Sequence, residues 1–535
     1  MTPWPRASGR ALTAAAVLLV LAIASVLCTV HPRFLFGVLV GDDAGYYLAV
    51  ARNACLGLGP SFDRVDATNG FNPLVPALLI PLDRWLAPGL DLVTCFRIGV
   101  VVTWIAMAWS LISARRFTRL VLAPPVVAGV VTPLASGAVL WFLASFVAFK
   151  GYYGMDAFLT LALGLAYVAG VAAHGPLERG ARPALRDGLL LALAVLARVD
   201  TLPLVVAAFI EMLPWARREP GGAGRAVARG AWFAAGLAPY VVWNQLRFHE
   251  LLPISAQLKS SFPHVDPATS LNVVLHTSLN PVDIAAVFLA LGAALAWLGG
   301  DVVRSMRPSP RLTAEAPRAA LSILAMALAG RLAWLLLFSR LDVQGSYFIL
   351  AHPFLAVLTI WLGARVAGAR GAMTASVLIV LAGGALLGLK LRTALPEVRA
   401  IADSRGDEWA IGRRIHDAVG PDEVIYGGAF GLIGYVSDRA WINGDGVANT
   451  RAYQDAIGEG RLAEHLARRS VDFVAVIASP PRDPGREPLA VRAASVLHSA
   501  VDSIHVDPAD IVIRELMRRN HGTSLWLARW RPPSP

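Results

Sequence analysis

The chain has 535 residues, of which 56% are hydrophobic and only 16% are charged, and its formal net charge is +11. Soluble domains carry about 25% charged residues, so this composition excludes an ordinary soluble enzyme. Its high hydrophobicity also excludes a disordered chain. The three cysteines are too few for a disulfide framework or a four-cysteine zinc site.

The first apolar run, residues 11–30, follows Arg6 and Arg10. Its length of about 20 residues suits a bilayer crossing and predicts an uncleaved transmembrane helix rather than a signal peptide. Further spans are predicted at residues 91–113, 120–149, 156–173, 188–199, 201–214, 230–246, 281–300, 319–339, 347–366 and 371–389. Together with the first span they make about eleven crossings. The two spans beside residues 198–200 are short and are expected to be bent or incomplete.

Arginines are concentrated in alternate connections between these spans, at residues 115–119, 179–186, 217–229, 304–318 and 365–370. Basic loops face the cytoplasm, so the N-terminus is predicted to be cytoplasmic. The positive charge is therefore a signal of topology, and nucleic acid is not an expected partner. An odd number of crossings places the C-terminal end outside the cytoplasmic (inner) membrane.

The composition changes after residue 389, where no further span is long enough to cross a bilayer. We predict a transmembrane domain of residues 1–389 and a soluble extracytoplasmic α/β domain of residues 390–535, which is a normal size for one core. Within this second domain the pattern predicts a helix over 407–419 and strands at 424–426, 471–477, 511–513 and 524–530.

The first outer loop, residues 40–87, begins with the carboxylates Asp42 and Asp43 at the membrane boundary, where charge is costly to desolvate. Either aspartate could simply cap a helix. That helix would end at residues 57–59 and would place Asp42, Tyr46 and Asn53 on one face, like the wall of a site. Farther along, Asn72 before a proline predicts the start of a second helix, with the asparagine as its cap.

Residues 42–53, 57–63 and 68–74 together resemble the first-loop motif of the GT-C superfamily of integral-membrane glycosyltransferases, which includes protein O-mannosyltransferases and lipid A aminoarabinose transferases. Looser matches at residues 153–156, 197–200, 252–259 and 442–446 extend the resemblance over most of the chain. Asp156 stands where relatives often carry glutamate, which keeps the carboxylate but shortens its reach.

The resemblance implies a polyprenyl-phosphate donor, inversion at the anomeric carbon and a carboxylate general base. Asp42 or Asp43 is the candidate base, and Asp156 could position the acceptor or share a cation. Lys259, Arg198 and Arg331 are candidates for the donor phosphate. Purely structural roles stay open for these residues. Arg331 could pair with a carboxylate or extend its charge out of the apolar span, Arg198 and Asp200 could form a structural ion pair, and Lys259 could simply be solvated in an outer loop.

The other residues predicted to bind substrate are polar and belong to the matched segments: Tyr46, Tyr47, Arg52, Asn53, Asn69, Asn72, Asp200 and Ser255. Metal dependence is left open. Asp42, Asp43 and Asp156 could hold Mg²⁺ or Mn²⁺ through oxygen ligands, and lysine and arginine could equally carry the phosphate charge without a metal.

The sequence thus predicts a polytopic α-helical GT-C-like membrane protein with a C-terminal extracytoplasmic α/β domain. It would transfer a sugar to an envelope glycan, lipid or protein. Two alternatives from other classes are a transporter or lipid flippase, which should show inverted repeats and broken helices at mid-membrane, and a non-catalytic scaffold of an envelope glycan complex.

Overall fold

The structure is a computed structural model. Apart from the single residues Leu18, Ala22, Ser25, Val26 and Leu289, it describes residues 29–38, 42–122, 137–139, 156–275, 292–298, 312–340, 350–402, 408–428, 430–445, 449–478, 489–495, 500–516 and 524–531. The predicted spans at 11–30, 120–149 and 281–300 lie largely outside the described residues.

The first 402 residues contribute helices. In chain order these are α1 (Pro32–Val38), α2 (Asp43–Cys55), α3 (Leu74–Leu86), α4 (Leu92–Leu122), α5 (Ala157–His174), α6 (Ala181–Ala197), α7 (Leu202–Arg218), α8 (Gly222–Phe248), α9 (Ile254–Lys259), α10 (Pro267–Leu275), α11 (Leu312–Phe338) and α12 (Ala351–Ala402). Five stretches are long and apolar enough to cross a bilayer: Leu92–Leu122, Ala157–His174, Val199–Arg218, Glu315–Phe338 and Ala351–Leu389. A polytopic helical membrane protein is thereby confirmed, while the count of eleven crossings stays a prediction.

Helix α5 is the central helix of the described bundle, and 83% of its residues are buried inside the protein. Its small residues leave room for neighbouring side chains, as where Gly164 lies against Leu350, and it packs against α4, α6 and α11. The predicted interruption beside residues 198–200 is present, because α6 ends at Ala197 and a single 3₁₀ turn, Val199–Thr201, precedes α7. This break sets Arg198 and Asp200 apart from the regular helices.

Helix α12 turns back on itself at Ala367 and Gly368, whose backbone angles are not helical. A Cβ added at Gly363 would lie 2.6 Å from the carbonyl oxygen of Gly371. In a straight helix these two residues would be about 12 Å apart. The segment is therefore two helices joined by a tight turn, as the separate predicted spans 347–366 and 371–389 require.

The C-terminal region is an α/β domain, as predicted. Its described elements are α13 (Glu408–Ala418), β1 (Val424–Gly427), α14 (Gly431–Ser437), β2 (Ala440–Asn443), α15 (Arg451–Gly458), α16 (Leu462–Arg468), β3 (Val471–Ala478), β4 (Leu489–Ser495), β5 (Ala500–Val506), β6 (Ile511–Leu516) and β7 (Ser524–Arg529). The predicted helix and four strands are all present, whereas β2, β4, β5 and α14–α16 were not predicted.

A mixed five-stranded sheet in the order β2-β1-β3-β7-β6 forms the centre of this domain, and β4 and β5 form a separate antiparallel pair. Strand β1 is parallel to β2 and β3, and β7 is antiparallel to β3 and β6. Side chains alternate between two cores, since Ile425 and Phe473 join the core of the membrane helices while Tyr426 and Val474 join a second core. The sheet is thus packed directly against the membrane domain.

The contact between the two regions is centred on α2 and α14. A Cβ on Gly45 would overlap the carbonyl of Gly431, so the two helices touch through their backbones. Around this point Tyr435 donates its hydroxyl to the Leu92 carbonyl at 2.7 Å, and Thr68 donates to the Asn449 carbonyl at 3.0 Å. The first loop is therefore held between the membrane helices and the C-terminal domain.

Candidate active site

A cavity of about 150 Å³ lies where the α6–α7 break meets α11 and the segment after α8. We call it the polar cavity. Its charged and polar lining consists of Asn72, Arg198, Asp200, Ser255, Gln257, Lys259, Ser260, Arg331 and Ser339. Its apolar lining consists of Val199, Leu202, Pro203, Leu252, Ala256, Phe262, Trp334 and Leu335. The cavity thus combines charge with an apolar and aromatic wall.

Arg198 is the best-held cation of the polar cavity. Its Nε and Nη2 donate to the two carboxylate oxygens of Asp200 at 3.1 and 3.0 Å, and its Nη1 donates to Asp156 Oδ1 at 3.0 Å. Arg331 Nη2 donates to the same Asp200 at 3.0 Å. The predicted pair of Arg198 and Asp200 is therefore real, and it extends to two further charged residues.

Asp156 lies directly behind the polar cavity and is 1% exposed. Its second oxygen accepts from the Tyr47 hydroxyl at 2.9 Å and from the Asn72 amide, which also donates to Tyr47 Oη at 3.0 Å. Because every described partner of Asp156 is a donor, its carboxylate orients Arg198 and Asn72. Asn72 does not cap α3, which begins at Leu74 with no side-chain cap, so the predicted capping role is wrong.

Six of the residues predicted to bind substrate line the polar cavity: Asn72, Arg198, Asp200, Ser255, Lys259 and Arg331. Tyr47 stands behind them through Asp156. These residues come from α2, the first loop, the α6–α7 break, α9 and α11. Their grouping is a property of the fold, because up to 284 positions of sequence separate them.

Asp42 precedes α2 at its N-cap position, yet its side chain does not cap α2. Its two carboxylate oxygens instead accept from the backbone N–H groups of Leu432 at 2.9 Å and Gly431 at 3.1 Å, at the start of α14. Burial raises the pKa of Asp42 to about 7, since desolvation outweighs these hydrogen bonds. Asp42 thus caps a helix of the other domain.

Asp43 is the first residue of α2 and is half-buried. Within the part of the chain that the structure describes, its carboxylate makes no hydrogen bond or ion pair. Neither Asp43 nor Asp42 lines the polar cavity. The two adjacent carboxylates therefore differ, since Asp42 accepts two backbone hydrogen bonds and Asp43 accepts none among the described residues.

The remaining predicted residues of the first loop make contacts away from the polar cavity. Tyr46 donates to Asp445 at 3.3 Å, and Arg52 donates to the Leu90 carbonyl at 2.9 Å and pairs with Asp438. The Asn53 amide donates to the carbonyls of residues 61 and 62. Asn69 bonds to the segment that follows α8. In the structure these contacts stabilise the first loop and its docking.

The predicted metal-binding set of Asp42, Asp43 and Asp156 does not assemble. Among the described residues, no group of three or more His, Cys, Asp or Glu side chains is arranged to hold a metal ion. The physical reason is that Asp42 is directed to the amides of α14, whereas Asp156 is directed to Arg198. The cations that line the polar cavity are arginine and lysine.

Several lining residues escaped the sequence reasoning. Gln257 sits in a matched segment but was not singled out, and Phe262 and Trp334 stack on each other with ring centroids 5.1 Å apart at the edge of the cavity. The only sequence signal for Trp334 was its spacing from Arg331, three residues along α11 and hence on the same face. Phe262 carried no such signal.

The crystal structure of ArnT from Cupriavidus metallidurans bound to undecaprenyl phosphate is similar to this chain, with a TM-score of 0.53 and 13% sequence identity over 97% of this chain and 99% of that one. The chain has the GT-C fold. The predicted GT-C architecture is therefore confirmed. The oligosaccharyltransferase of Archaeoglobus fulgidus in the apo form gives a TM-score of 0.44 with 13% identity, over 86% of this chain and 69% of that one. No protein-family model and no curated protein matches the sequence.

Proposed function

We propose that this protein is a membrane glycosyltransferase that transfers a sugar from a polyprenyl-phosphate donor to an envelope glycan, lipid or protein outside the cytoplasmic membrane. The observation that carries the proposal is the polar cavity, in which Arg198, Lys259 and Arg331 meet an apolar and aromatic wall within a GT-C fold. A lipid phosphate needs both features, because its head is anionic and its tail is apolar.

The charges favour an anionic donor. Among the described residues, three cations at the cavity accompany two carboxylates, Asp156 and Asp200. A phosphodiester would bring one negative charge to this group. Because Asp156 and Asp200 fix the Arg198 guanidinium in place, that guanidinium needs little reorganisation when the phosphate leaves.

In the proposed reaction an acceptor hydroxyl attacks the anomeric carbon of the donor sugar, and the bond from that carbon to the phosphate oxygen breaks. The electron pair of that bond leaves with the phosphate, where Lys259 and Arg331 stabilise the charge. The acceptor proton passes to a carboxylate, and attack opposite the leaving group inverts the anomeric centre. We assign the proton to Asp43, because Asp42 already accepts two backbone hydrogen bonds.

The contacts of the first loop with the C-terminal domain support a common side of the membrane for both. We propose that this side is extracytoplasmic, that the N-terminus is cytoplasmic, and that residues 1–389 and 390–535 are the two functional units. The C-terminal unit then encloses the first loop and its two carboxylates from outside.

The donor site is tested with the full chain, purified in detergent, by measuring the Kd for undecaprenyl phosphate. A charged contact to the ligand contributes about 1.5–3 kcal/mol, so Lys259→Ala and Arg331→Met should each raise the Kd about tenfold or more. Arg217→Ala, an exposed arginine at the other end of α7, is the matched control and should leave the Kd unchanged. Equal affinity in all four proteins would contradict the site.

The activity itself is tested by mass spectrometry of lipid-linked sugars and envelope glycans with and without the gene. Accumulation of one polyprenyl-linked sugar, together with its consumption by the purified protein, supports a transferase. Loss of a flippase would instead trap the lipid-linked sugar on the inner leaflet, and the purified flippase would show no cleavage in detergent. A scaffold would show neither change with the purified protein.

A further inference from the structure

One wall of the polar cavity is a short connection rather than a long helix. Residues 250–262, which link α8 to α10 and include α9, contribute Leu252, Ser255, Lys259 and Phe262 to the lining. A six-residue helix is too short to hold itself in one place. The position of this wall segment therefore depends on what holds its two ends.

The far end of the wall segment is held by backbone hydrogen bonds to the end of α11. Ser261 N–H donates to the Phe338 carbonyl at 2.7 Å, and Arg340 N–H donates to the Lys259 carbonyl at 3.2 Å. Since α11 also carries Arg331, this end moves together with one of the phosphate cations. These backbone hydrogen bonds hold the end of the wall segment and do not involve its first residues.

The start of the wall segment is held by Asn69 of the first loop. Asn69 Oδ1 accepts from the backbone N–H of Ile254, the first residue of α9, at 3.1 Å. Its Nδ2 donates to Asn244 Oδ1 at 2.8 Å and to Glu250 Oε2 at 3.3 Å, and the Asn244 amide donates to the Glu250 carbonyl at 2.9 Å. Asn69 and Asn244 are 3% and 0% exposed.

These contacts give Asn69 the role that a local capping residue would normally have. Helix α9 follows Pro253, which offers no side-chain cap, so the first amide of α9 would be unsatisfied without Asn69. Helix α9 is rigid over its single turn and a half, so fixing Ile254 also fixes Lys259, about 7 Å farther along. The Asn69 amide is fully occupied in this network and lies outside the cavity lining.

We infer that Asn69 is a positioning residue, which caps α9 from the first loop and thereby sets Ser255 and Lys259 against the donor phosphate. The inference rests on the proposed function for the identity of the ligand. It differs from direct substrate binding, because the Asn69 amide bonds only to protein groups among the described residues.

The test measures position and binding separately in the full-length protein. Asn69→Ala should speed hydrogen exchange of the Ile254 amide in the absence of lipid and should raise the Kd for undecaprenyl phosphate about tenfold. Lys259→Ala should raise the Kd without changing that exchange. Asn449→Ala is the matched control, since it removes a buried amide that bonds the Asn443 carbonyl at 3.1 Å and does not touch the wall segment.

A second variant guards against simple loss of folding. Asn69→Asp keeps the acceptor for Ile254 but faces Glu250 with a like charge, and adding Glu250→Gln removes that repulsion. The double variant should recover most of the affinity that Asn69→Ala loses. Unchanged Ile254 exchange in Asn69→Ala would overturn the positioning role. If Lys259→Ala binds normally, the phosphate site is wrong, and the exchange measurement still decides the capping role.

Discussion

The close approach of α2 and α14 at Gly45 and Gly431 makes a sharp prediction for Gly45→Ala. The new Cβ would lie less than 2.5 Å from the Gly431 carbonyl oxygen, where ordinary contact begins at about 3.4 Å. The helices must therefore separate by about 1 Å. The hydrogen bonds from Leu432 and Gly431 to the Asp42 carboxylate, now 2.9 and 3.1 Å, would lengthen to about 4 Å and would be lost.

Above pH 7, where the Asp42 carboxylate is ionised, its hydrogen bonds contribute about 1.5–3 kcal/mol each, and relaxation recovers part of this. We expect docking of the C-terminal domain to weaken by about 3 kcal/mol, which corresponds to a hydrogen-exchange rate on the order of a hundredfold higher at Gly431 and Leu432. The control is Gly224→Ala in α8, where a Cβ meets nothing within 4 Å. Exchange at both amides as slow as in the unaltered protein would refute the reasoning.

Three further predictions concern single buried or catalytic groups. Asp43→Asn should lower the transfer rate by about 10²–10⁴ while leaving the Kd for undecaprenyl phosphate unchanged, and normal turnover would exclude Asp43 as the base. Burial raises the pKa of Asp83 to about 7. Between pH 4 and 7 the folded protein therefore binds a proton at Asp83 that the unfolded chain releases, and thermal stability should fall as the pH rises through that window. The melting temperature of Asp83→Asn should fall less over the same range. Arg229→Met should destabilise the protein by about 3 kcal/mol, read as a lower melting temperature, because it breaks a fully buried ion pair of 3.0 Å with Asp187.

The parts of the fold that the sequence predicted well are those in which local pattern decides. Long apolar runs predicted the helices, and the short spans on either side of Arg198 and Asp200 predicted the break between α6 and α7. Four strands were found because each contains a short apolar run, and three of these runs, at residues 424–426, 471–477 and 511–513, include β-branched valine and isoleucine. Strand β2 escaped because only one of its four residues, Ile442, is β-branched. The β4–β5 pair is separate from the main sheet, and each of its strands pairs only with the other among the described strands.

The site was predictable in composition but not in its contacts. Asp42 was correctly located at the start of a helix, yet its hydrogen-bond partners lie 389 and 390 positions away. Nothing in the local sequence distinguishes a carboxylate that caps its own helix from one that caps a distant helix. A weak signal was present in Gly45, since a glycine within a helical pattern often marks a close backbone approach.

The same long-range contacts constrain the number of membrane crossings. Residue 42 touches residues 431 and 432, so the first loop and the C-terminal domain lie on one side of the bilayer, and the chain between them must cross an even number of times. The turn at Gly368 divides α12 into two helices, which match the separate predicted spans 347–366 and 371–389. The ten spans predicted between residues 91 and 389 satisfy this rule. With the predicted crossing at residues 11–30 the predicted total is odd. A revision of the predicted count of eleven must therefore add or remove crossings in pairs.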